Sequence, residues 1–278
     1  MAGNGASALR PAAPAERGAL GKRIASTIVL VPLALVVVWL GAPWFTLVVA
    51  LAAGIMAWEW GRLVGQPGGF WPAILLPALG AGAVLLGGSV GPAWGMLAAL
   101  VGGLALSRGG GRAVWLVLGL LWIVVPSIGF VWLRGRSDGG LQTTVWLLAV
   151  VWSVDSAAFA VGRTIGGPRL VPRISPNKTW SGLLGGIAAA CCAGGLCAAL
   201  AGAGPWWPAV LISGGLAIVE QIGDIAESYA KRHFGAKDSG GLIPGHGGLL
   251  DRLDGMLAVV AAVAFATFIM NGNLVSWR

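Results

Sequence analysis

Carboxylates inside apolar segments are the residues of this chain whose types and positions could do chemistry. The sequence of 278 residues contains only ten Asp and Glu residues. Five of them lie in or beside long apolar runs: Glu59, Asp155, Glu220, Asp224 and Glu227. A charge at the centre of a bilayer costs about 2.5–3.5 kcal/mol on insertion scales, so such residues usually serve a function. Ion pairing between helices is the weaker explanation, because these runs contain almost no Lys or Arg.

Two pairs of carboxylates predict a cation site. Asp224 and Glu227 are three residues apart, as are Asp251 and Asp254, so each pair lies on one face of a helix. Either pair alone could be purely structural, but both flank one cationic, glycine-rich segment and would repel each other without a counter-ion. Because oxygen ligands suit Mg²⁺ and Mn²⁺, the four residues together predict a divalent cation.

The segment between these pairs has the composition of a phosphate-binding loop. Residues 231–248 include six glycines, whose backbone N–H groups can approach an anion closely. Lys231, Arg232, Lys237 and Arg252 supply positive charge for phosphates. His246 lies between glycines, which favours a ligand contact or a proton role over a place in the core, whereas His233 has the context of a solvated loop residue.

A second anion site is predicted upstream, where a loop ends and a helix begins. Ser175, Asn177, Lys178 and Thr179 combine hydroxyls, an amide and a cation at a helix N-terminus, where backbone N–H groups attract anions. The alternative is a capping turn followed by a tryptophan at the membrane interface. Asp155 lies near the same end of the preceding apolar run and could reach the same cavity.

The composition defines the elements that must hold these residues. Hydrophobic residues make up 57% of the chain and charged residues 10%, against about 25% charged in soluble domains. The apolar runs are continuous and not alternating, which disfavours an outer-membrane barrel. We therefore expect an all-α, polytopic integral membrane protein. The net charge of +8 then indicates cationic loops beside anionic lipid, and no nucleic-acid partner is expected.

A spanning helix needs about 20 mostly apolar residues, and the chain offers nine candidates. They cover about 24–41, 44–63, 70–89, 92–107, 113–133, 142–162, 181–203, 207–229 and 253–271. Residues 1–23 are predicted to be a basic cytoplasmic tail, and 24–278 a single transmembrane domain with cytoplasmic catalytic loops at about 163–180 and 230–252. Cys191, Cys192 and Cys197 share one apolar run and are interpreted as small packing residues.

The distribution of cations predicts the orientation. With residue 1 on the cytoplasmic side, fifteen of the eighteen Lys and Arg residues fall in cytoplasmic segments. Only Arg134, Arg136 and Arg278 fall on the other side. This asymmetry is a strong positive-inside signal and places both catalytic loops in the cytoplasm.

Several motifs resemble those of one enzyme family. The segment 228–254 carries, in order, Ser228, Lys231, Arg232, Lys237, Asp238, Gly240, Ile243, Pro244, His246, Gly247, Gly248, Leu249, Asp251, Arg252, Leu253 and Asp254. This run closely resembles the signature of the phosphatidate cytidylyltransferases (CDP-diacylglycerol synthases). The resemblance extends to Asp155-Ser156, to the segment 175–180, to Asp224-x-x-Glu227-Ser228 and to Trp58-Glu59-Trp60.

Such a resemblance implies a reaction: CTP + phosphatidate → CDP-diacylglycerol + pyrophosphate, with Mg²⁺, at the cytoplasmic face of the inner (plasma) membrane. A second cation is left open. Asp224 and Asp251 would hold the metal, with Glu227 and Asp254 as further ligands or their support. The catalytic residues would be Lys178, Lys231, Arg232, Lys237, His246 and Arg252. Substrate would be bound by Asp155, Ser175, Asn177, Thr179, Ser228, Gly247 and Gly248.

Other hypotheses remain at this stage. A secondary transporter also carries buried acids in spans broken by Gly and Pro, although here the polar residues cluster at one membrane face and not at the midplane. A different lipid nucleotidyl- or phosphoryltransferase is a further alternative. A CDP-alcohol phosphotransferase is disfavoured, because its motif continues after Asp-Gly with Ala-Arg and with further acids on adjacent helical turns. Here Asp254-Gly255 is followed only by Met256 and Leu257. Close packing of glycine-rich spans would also suit a homodimer.

Overall fold

The protein is a bundle of helices with one small hairpin. The computed structural model describes residues 31–65, 70–107, 111–240 and 247–277. Over these residues the helices are α1 (Val31–Leu40), α2 (Trp44–Leu63), α3 (Phe70–Ser89), α4 (Pro92–Leu106), α5 (Gly111–Arg134), α6 (Gly140–Thr164), α7 (Trp180–Leu200), α8 (Trp207–His233) and α9 (Leu250–Met270). The basic tail and residues 24–30 of the first predicted span lie outside the described residues.

The predominantly helical character is confirmed, whereas the number of nine spans stays a prediction. Six helices are long and apolar enough to cross a membrane: α2, α5, α6, α7, α8 and α9. Over the described residues, the other apolar helical segments are shorter: Val31–Leu40, the part Ala73–Ser89 of α3, and Pro92–Leu106. Helix α4 corresponds to the fourth predicted span, 92–107, which was the shortest of the nine candidates.

The largest difference from the predicted boundaries lies at the site. The predicted loop 230–252 is shorter in the structure. It begins later because α8 continues to His233, and it ends earlier because α9 starts at Leu250. Lys231 and Arg232 are therefore helical. The helix ends where Gly235 adopts a positive φ of 71° and Ala236 N–H donates to the Lys231 carbonyl at 2.8 Å, which is a Schellman-type end. His233, predicted as a solvated loop residue, is exposed at this helix end and stacks on Trp115 at 4.7 Å.

The all-α expectation missed a short antiparallel hairpin between α6 and α7. Strand β1 (Arg169–Val171) pairs with β2 (Ser175–Thr179), with Arg169 opposite Thr179 and Val171 opposite Ser175. Strand β2 runs directly into α7, and Thr179 caps that helix by accepting from Gly182 N–H at 3.1 Å. The hairpin thereby fixes the side chains that immediately precede α7.

Consecutive helices pack against each other, and α5 joins the two halves of the chain. In the first half α2 packs on α3, α3 on α4 and α4 on α5; in the second, α6 packs on α7, α7 on α8 and α8 on α9. Contacts of α5 with α9 connect these halves. One core, around Val84, Leu116 and Leu120, lies among α2–α5, and another, around Trp146 and Val259, lies among α6–α9.

Candidate active site

Helix α8 carries the polar side chains of the site along one broad face near its C-terminal end. Asp224, Glu227 and Lys231 follow helical spacing on this face, and Gln221 and Ser228 lie beside them. These side chains meet two different partner elements. We call the group that meets the hairpin the Lys178 cluster (Lys178, Gln221, Asp224 and Ser228) and the group that meets the start of α9 the Lys231 cluster (Glu227, Lys231 and Asp251).

In the Lys178 cluster, a lysine from the hairpin reaches α8. Lys178 Nζ lies 2.6 Å from Asp224 Oδ2 and donates to Gln221 Oε1 at 3.0 Å. The other oxygen of Asp224 accepts from the Ser228 hydroxyl at 3.2 Å. Both charged side chains are largely, but not completely, shielded from solvent. A cation is thereby held next to a carboxylate in a position that a substrate anion could still reach.

In the Lys231 cluster, one buried lysine joins α8 to the start of α9. Lys231 Nζ donates to Glu227 Oε2 at 3.0 Å and to Asp251 Oδ1 at 2.7 Å. Glu227 and Lys231 are both buried. The other Glu227 oxygen, Oε1, is buried and accepts no hydrogen bond. Buried charges need partners, so this oxygen is a candidate ligand position.

Backbone N–H groups fix the orientation of Asp251. Its carboxylate accepts from Ser239 N–H at 3.0 and 3.1 Å and from Gly248 N–H at 2.8 Å. Gly247, next to this contact, has a φ of +82°, a conformation that side chains rarely adopt. Gly248, which the sequence assigned to substrate binding, therefore holds an aspartate in this structure, which is a positioning role that the sequence did not indicate.

Further carboxylates connect the two clusters. Asp254 of α9 interacts with Glu227 and lies in the field of Asp224. Asp155 of α6 interacts with Glu220 of α8. The positive charges of Lys178 and Arg252 both act on the Asp155 carboxylate. The predicted acids from three helices thus converge at one end of the bundle. Neighbouring carboxylates repel when both are ionised, and a proton or a cation relieves that repulsion.

The remaining predicted residues surround these clusters with different degrees of exposure. Arg232 is exposed and bonds the carbonyls of Ile174 and Ala236, at 3.3 and 3.2 Å, which ties α8 to the hairpin. Lys237 and Asn177 are exposed, Ser175 is half-buried and Arg252 is exposed. Thr179 is buried and caps α7. A capping turn was the alternative to an anion site that the sequence left open for this segment. His246 lies outside the described residues.

The predicted ligands do not form a ready-made metal centre in the part of the chain that the structure describes. Within those ranges, no group of three or more His, Cys, Asp or Glu side chains is close enough to hold a metal ion. The donor chemistry nevertheless suits a hard cation, because all four candidates are carboxylates and Glu227 has a buried oxygen without a hydrogen bond. The magnesium site stays a prediction.

Two residues that the sequence did not assign to the site take part in it. Gln221 donates to Glu220 Oε2 at 2.6 Å and accepts from Lys178, so it links a buried acid to the exposed end of the cluster. Glu59 of α2 is completely buried and accepts from the N–H groups of Leu249 and Leu250. The available signals were the position of Gln221 three residues before Asp224 and the presence of Glu59 inside an apolar run.

Comparison with known proteins identifies the family. The profile of the cytidylyltransferase family matches residues 21–270. A phosphatidate cytidylyltransferase of Brucella suis is 43% identical over 253 residues, which are 87% of this chain and 91% of that protein. The phosphatidate cytidylyltransferase of Bacillus subtilis is 40% identical over 137 residues, 49% of this chain and 51% of that protein. The family match includes β2, α8 and α9, the elements that carry the two lysine clusters, and the chain therefore belongs to the cytidylyltransferase family.

Proposed function

We propose that this protein is a phosphatidate cytidylyltransferase, which transfers CMP from CTP to phosphatidate and releases pyrophosphate. The observation that carries the proposal is the pair of lysine–carboxylate clusters on α8, at one end of an apolar helix bundle. Such an arrangement suits a reaction between a lipid phosphate and a nucleoside triphosphate. Membership in the cytidylyltransferase family, with relatives named for this activity, narrows the reaction class.

The chemistry is an in-line displacement at phosphorus. A phosphate oxygen of phosphatidate forms a bond to the α-phosphorus of CTP, and the bond from that phosphorus to the bridging oxygen of the β-phosphate breaks. Pyrophosphate leaves with the electron pair. The attacking phosphate monoester is already largely ionised, so a strong general base is unnecessary. Positioning and charge neutralisation should supply most of the rate enhancement.

The lysines are the groups best placed to neutralise charge. Lys178 and Lys231 are each held by carboxylates, which fixes the positions of their ammonium groups before substrate arrives. Arg232, Lys237 and Arg252 supply further positive charge around this end of α8 and α9, and we assign them to the triphosphate and the lipid phosphate. Ser175, Asn177 and Ser228 are assigned to orienting a phosphate, and His246 to the segment over the nucleotide.

Mg²⁺ is the cofactor that we propose for the site. Asp224, Glu227, Asp251 and Asp254 would hold it, a choice supported by their carboxylate chemistry and by the buried Glu227 oxygen that accepts no hydrogen bond. When bound, the cation would neutralise charge on the phosphates and the leaving group. A second cation is left open.

The orientation that we propose puts nine spans in the inner membrane, with the N-terminus and the active site on the cytoplasmic side. The support is the charge asymmetry of the sequence, in which fifteen of eighteen Lys and Arg residues fall on the side of the site. The bacterial relatives are named for this activity, which is consistent with an enzyme of the inner (plasma) membrane. Homodimerisation is proposed from the glycine-rich helices alone, since small residues let helices pack closely.

The decisive experiment measures lipid-linked nucleotide. Purified protein in detergent–lipid micelles is incubated with labelled CTP, phosphatidate and Mg²⁺, and the lipid phase is analysed for label. We expect label to appear in the lipid phase, to depend on phosphatidate, and to disappear on addition of EDTA and return with excess Mg²⁺. Asp224→Asn and Asp251→Asn should each reduce turnover at least about 100-fold, because each removes charge at the reacting centre.

Asp138→Asn is the matched control for these variants. Asp138 is an exposed aspartate that pairs with Arg136 at 2.7 Å, in the turn between α5 and α6 at the opposite end of the bundle. Its replacement should leave turnover unchanged. Full activity in Asp224→Asn or Asp251→Asn would remove that residue from the site. CTP-independent solute uptake by proteoliposomes, with no labelled lipid, would instead favour a transporter.

A further inference from the structure

The carboxylate of Glu59 binds the start of α9. Glu59 lies on α2 and is completely buried, with a relative exposure of 0%. Its Oε1 accepts from Leu249 N–H at 2.9 Å and its Oε2 accepts from Leu250 N–H at 2.8 Å. The residues joined by these bonds are about 190 positions apart in the sequence. Both oxygens are therefore used to hold one short piece of backbone.

This contact replaces a helix cap that the local sequence does not provide. The first N–H groups of a helix lack partners within the helix and carry the positive end of its dipole. The N-cap residue of α9, Leu249, has no side-chain acceptor, and no local cap bond is present there. The Glu59 carboxylate takes that place, which also explains how an anion can be stable inside an apolar bundle.

Two glycines leave the space that Glu59 occupies. A Cβ atom added at Gly240 would lie 2.8 Å from Glu59 Oε1, and one at Gly248 would lie 2.8 Å from both oxygens. A Cβ at Gly248 would also lie 2.2 Å from Ser239 Oγ. The backbone at Gly240 and at Gly248 is therefore packed directly on this carboxylate.

The same short stretch of backbone also holds Asp251. Gly248 N–H donates to Asp251, Leu249 and Leu250 N–H donate to Glu59, and Asp251 is the next residue. A shift of this stretch would move the Asp251 carboxylate relative to Lys231, which lies only 2.7 Å away. Hydrogen-bond geometry of this kind is sensitive to displacements of a fraction of an ångström.

We propose that Glu59 is a positioning residue for catalysis: it fixes the N-terminal end of α9 so that Asp251 meets Lys231 in a productive geometry. Glu59 itself need not touch either substrate. Its catalytic consequence rests on the proposed cytidylyltransferase activity, whereas its effect on the start of α9 does not. Residues that support the groups of an active site in this way typically change activity 10- to 100-fold when they are replaced.

The test combines local hydrogen exchange with kinetics on the full-length protein. Glu59→Gln keeps the shape but puts an NH₂ group against one of the two backbone donors. We expect faster amide exchange in peptides that cover 247–255, unchanged exchange in α6 and α7, and a fall in kcat of about tenfold or more with little change in the KM for CTP. Glu59→Asp, which keeps the charge but shortens the side chain, should recover part of kcat.

A second route perturbs the contact from the other side. Gly248→Ala forces a methyl group against Glu59 and Ser239 and should give the same local exchange signature. Gly215→Ala is its control, because a Cβ there meets no atom within 4 Å. Ser127→Ala is the control for the Glu59 variants. It removes a buried hydroxyl group that donates to the Ile123 carbonyl of the same helix.

Each result decides the proposal. Faster exchange at the start of α9 together with a lower kcat supports it. Wild-type kcat in Glu59→Gln, a loss of kcat without a local change in exchange, or faster exchange throughout the protein would overturn it. If wild-type protein forms no labelled lipid at all, the proposed function has failed; the positioning of α9 is then decided by the exchange data alone, and unchanged exchange would overturn that as well.

Discussion

Lys231 and Lys237 are six residues apart in one basic segment, and the fold gives them different environments. Lys231 lies on α8, is only 8% exposed and joins Glu227 to Asp251. Lys237 follows the helix and is exposed. A buried ion pair costs much more to break than a surface charge costs to remove, because the partner is left charged in a low-dielectric environment. The two lysines should therefore differ in stability as well as in catalysis.

Lys231→Met is expected to destabilise the protein by about 3–5 kcal/mol, because it leaves Glu227 and Asp251 without their cation. Lys237→Met should leave stability within about 0.5 kcal/mol of wild type while reducing turnover. Thermal unfolding in detergent, followed by tryptophan fluorescence, gives the first quantity, and the lipid-labelling assay gives the second. Equal unfolding temperatures for the two variants would contradict the buried role of Lys231.

At the scale of elements, the crossing of α8 and α9 sets the distance between the acidic pairs. Gly223 of α8 and Gly255 of α9 allow the close approach: a Cβ at Gly223 would lie 2.5 Å from Ala258 Cβ, and one at Gly255 would lie 2.7 Å from Glu220 Cγ. Asp224 and Asp254 are the direct neighbours of these glycines in the chain. The separation of the helix backbones therefore controls the separation of the candidate ligands.

Gly223→Ala should push α8 and α9 apart, with a loss of about 1–3 kcal/mol in stability and a marked fall in turnover. Gly215→Ala is the matched control on the same helix, where an added Cβ meets nothing within 4 Å. It should be neutral or slightly stabilising, since alanine has the higher helix propensity. The unfolding temperature and the turnover number of both variants are the measurements. A neutral Gly223→Ala variant would show that the crossing can relax without affecting the site.

At the scale of the whole molecule, the two ends of the bundle differ in charge. Lys178, Lys231 and Arg252 lie at the end where α6 and α8 finish and α7 and α9 begin. Arg134 and Arg136 lie at the opposite end, where Arg134 bonds the Val38 carbonyl at 2.6 Å and Arg136 pairs with Asp138. The orientation in a membrane should follow this asymmetry.

Cysteine accessibility tests that orientation. With Cys191, Cys192 and Cys197 replaced by alanine, Lys237→Cys should react with a membrane-impermeant maleimide only from the cytoplasmic side. Ser137→Cys, in the turn between α5 and α6, should react only from the other side. The two single-cysteine proteins control for each other in sealed right-side-out and inverted vesicles. Labelling of both from one side would contradict the proposed topology.

The sequence predicted much of this protein because its strongest signals are local. Apolar runs of about twenty residues identify helices whatever their partners, and the predicted limits of α2 and α3 agree with the structure. The acid spacing at Asp224 and Glu227 follows from helix periodicity alone. The hairpin at 169–179 was missed, since two strands of three and five residues give little periodic signal.

Only the tertiary structure decided which side chains meet. The sequence named Lys178, Asp224, Lys231 and Asp251 as one functional group, but the pairing of each lysine with particular carboxylates depends on how α7, α8 and α9 pack. The link from Glu59 to the start of α9 crosses about 190 residues. Residue types and local spacing determine helices and the chemistry that they carry, whereas contacts between distant segments depend on packing geometry, which no local pattern contains.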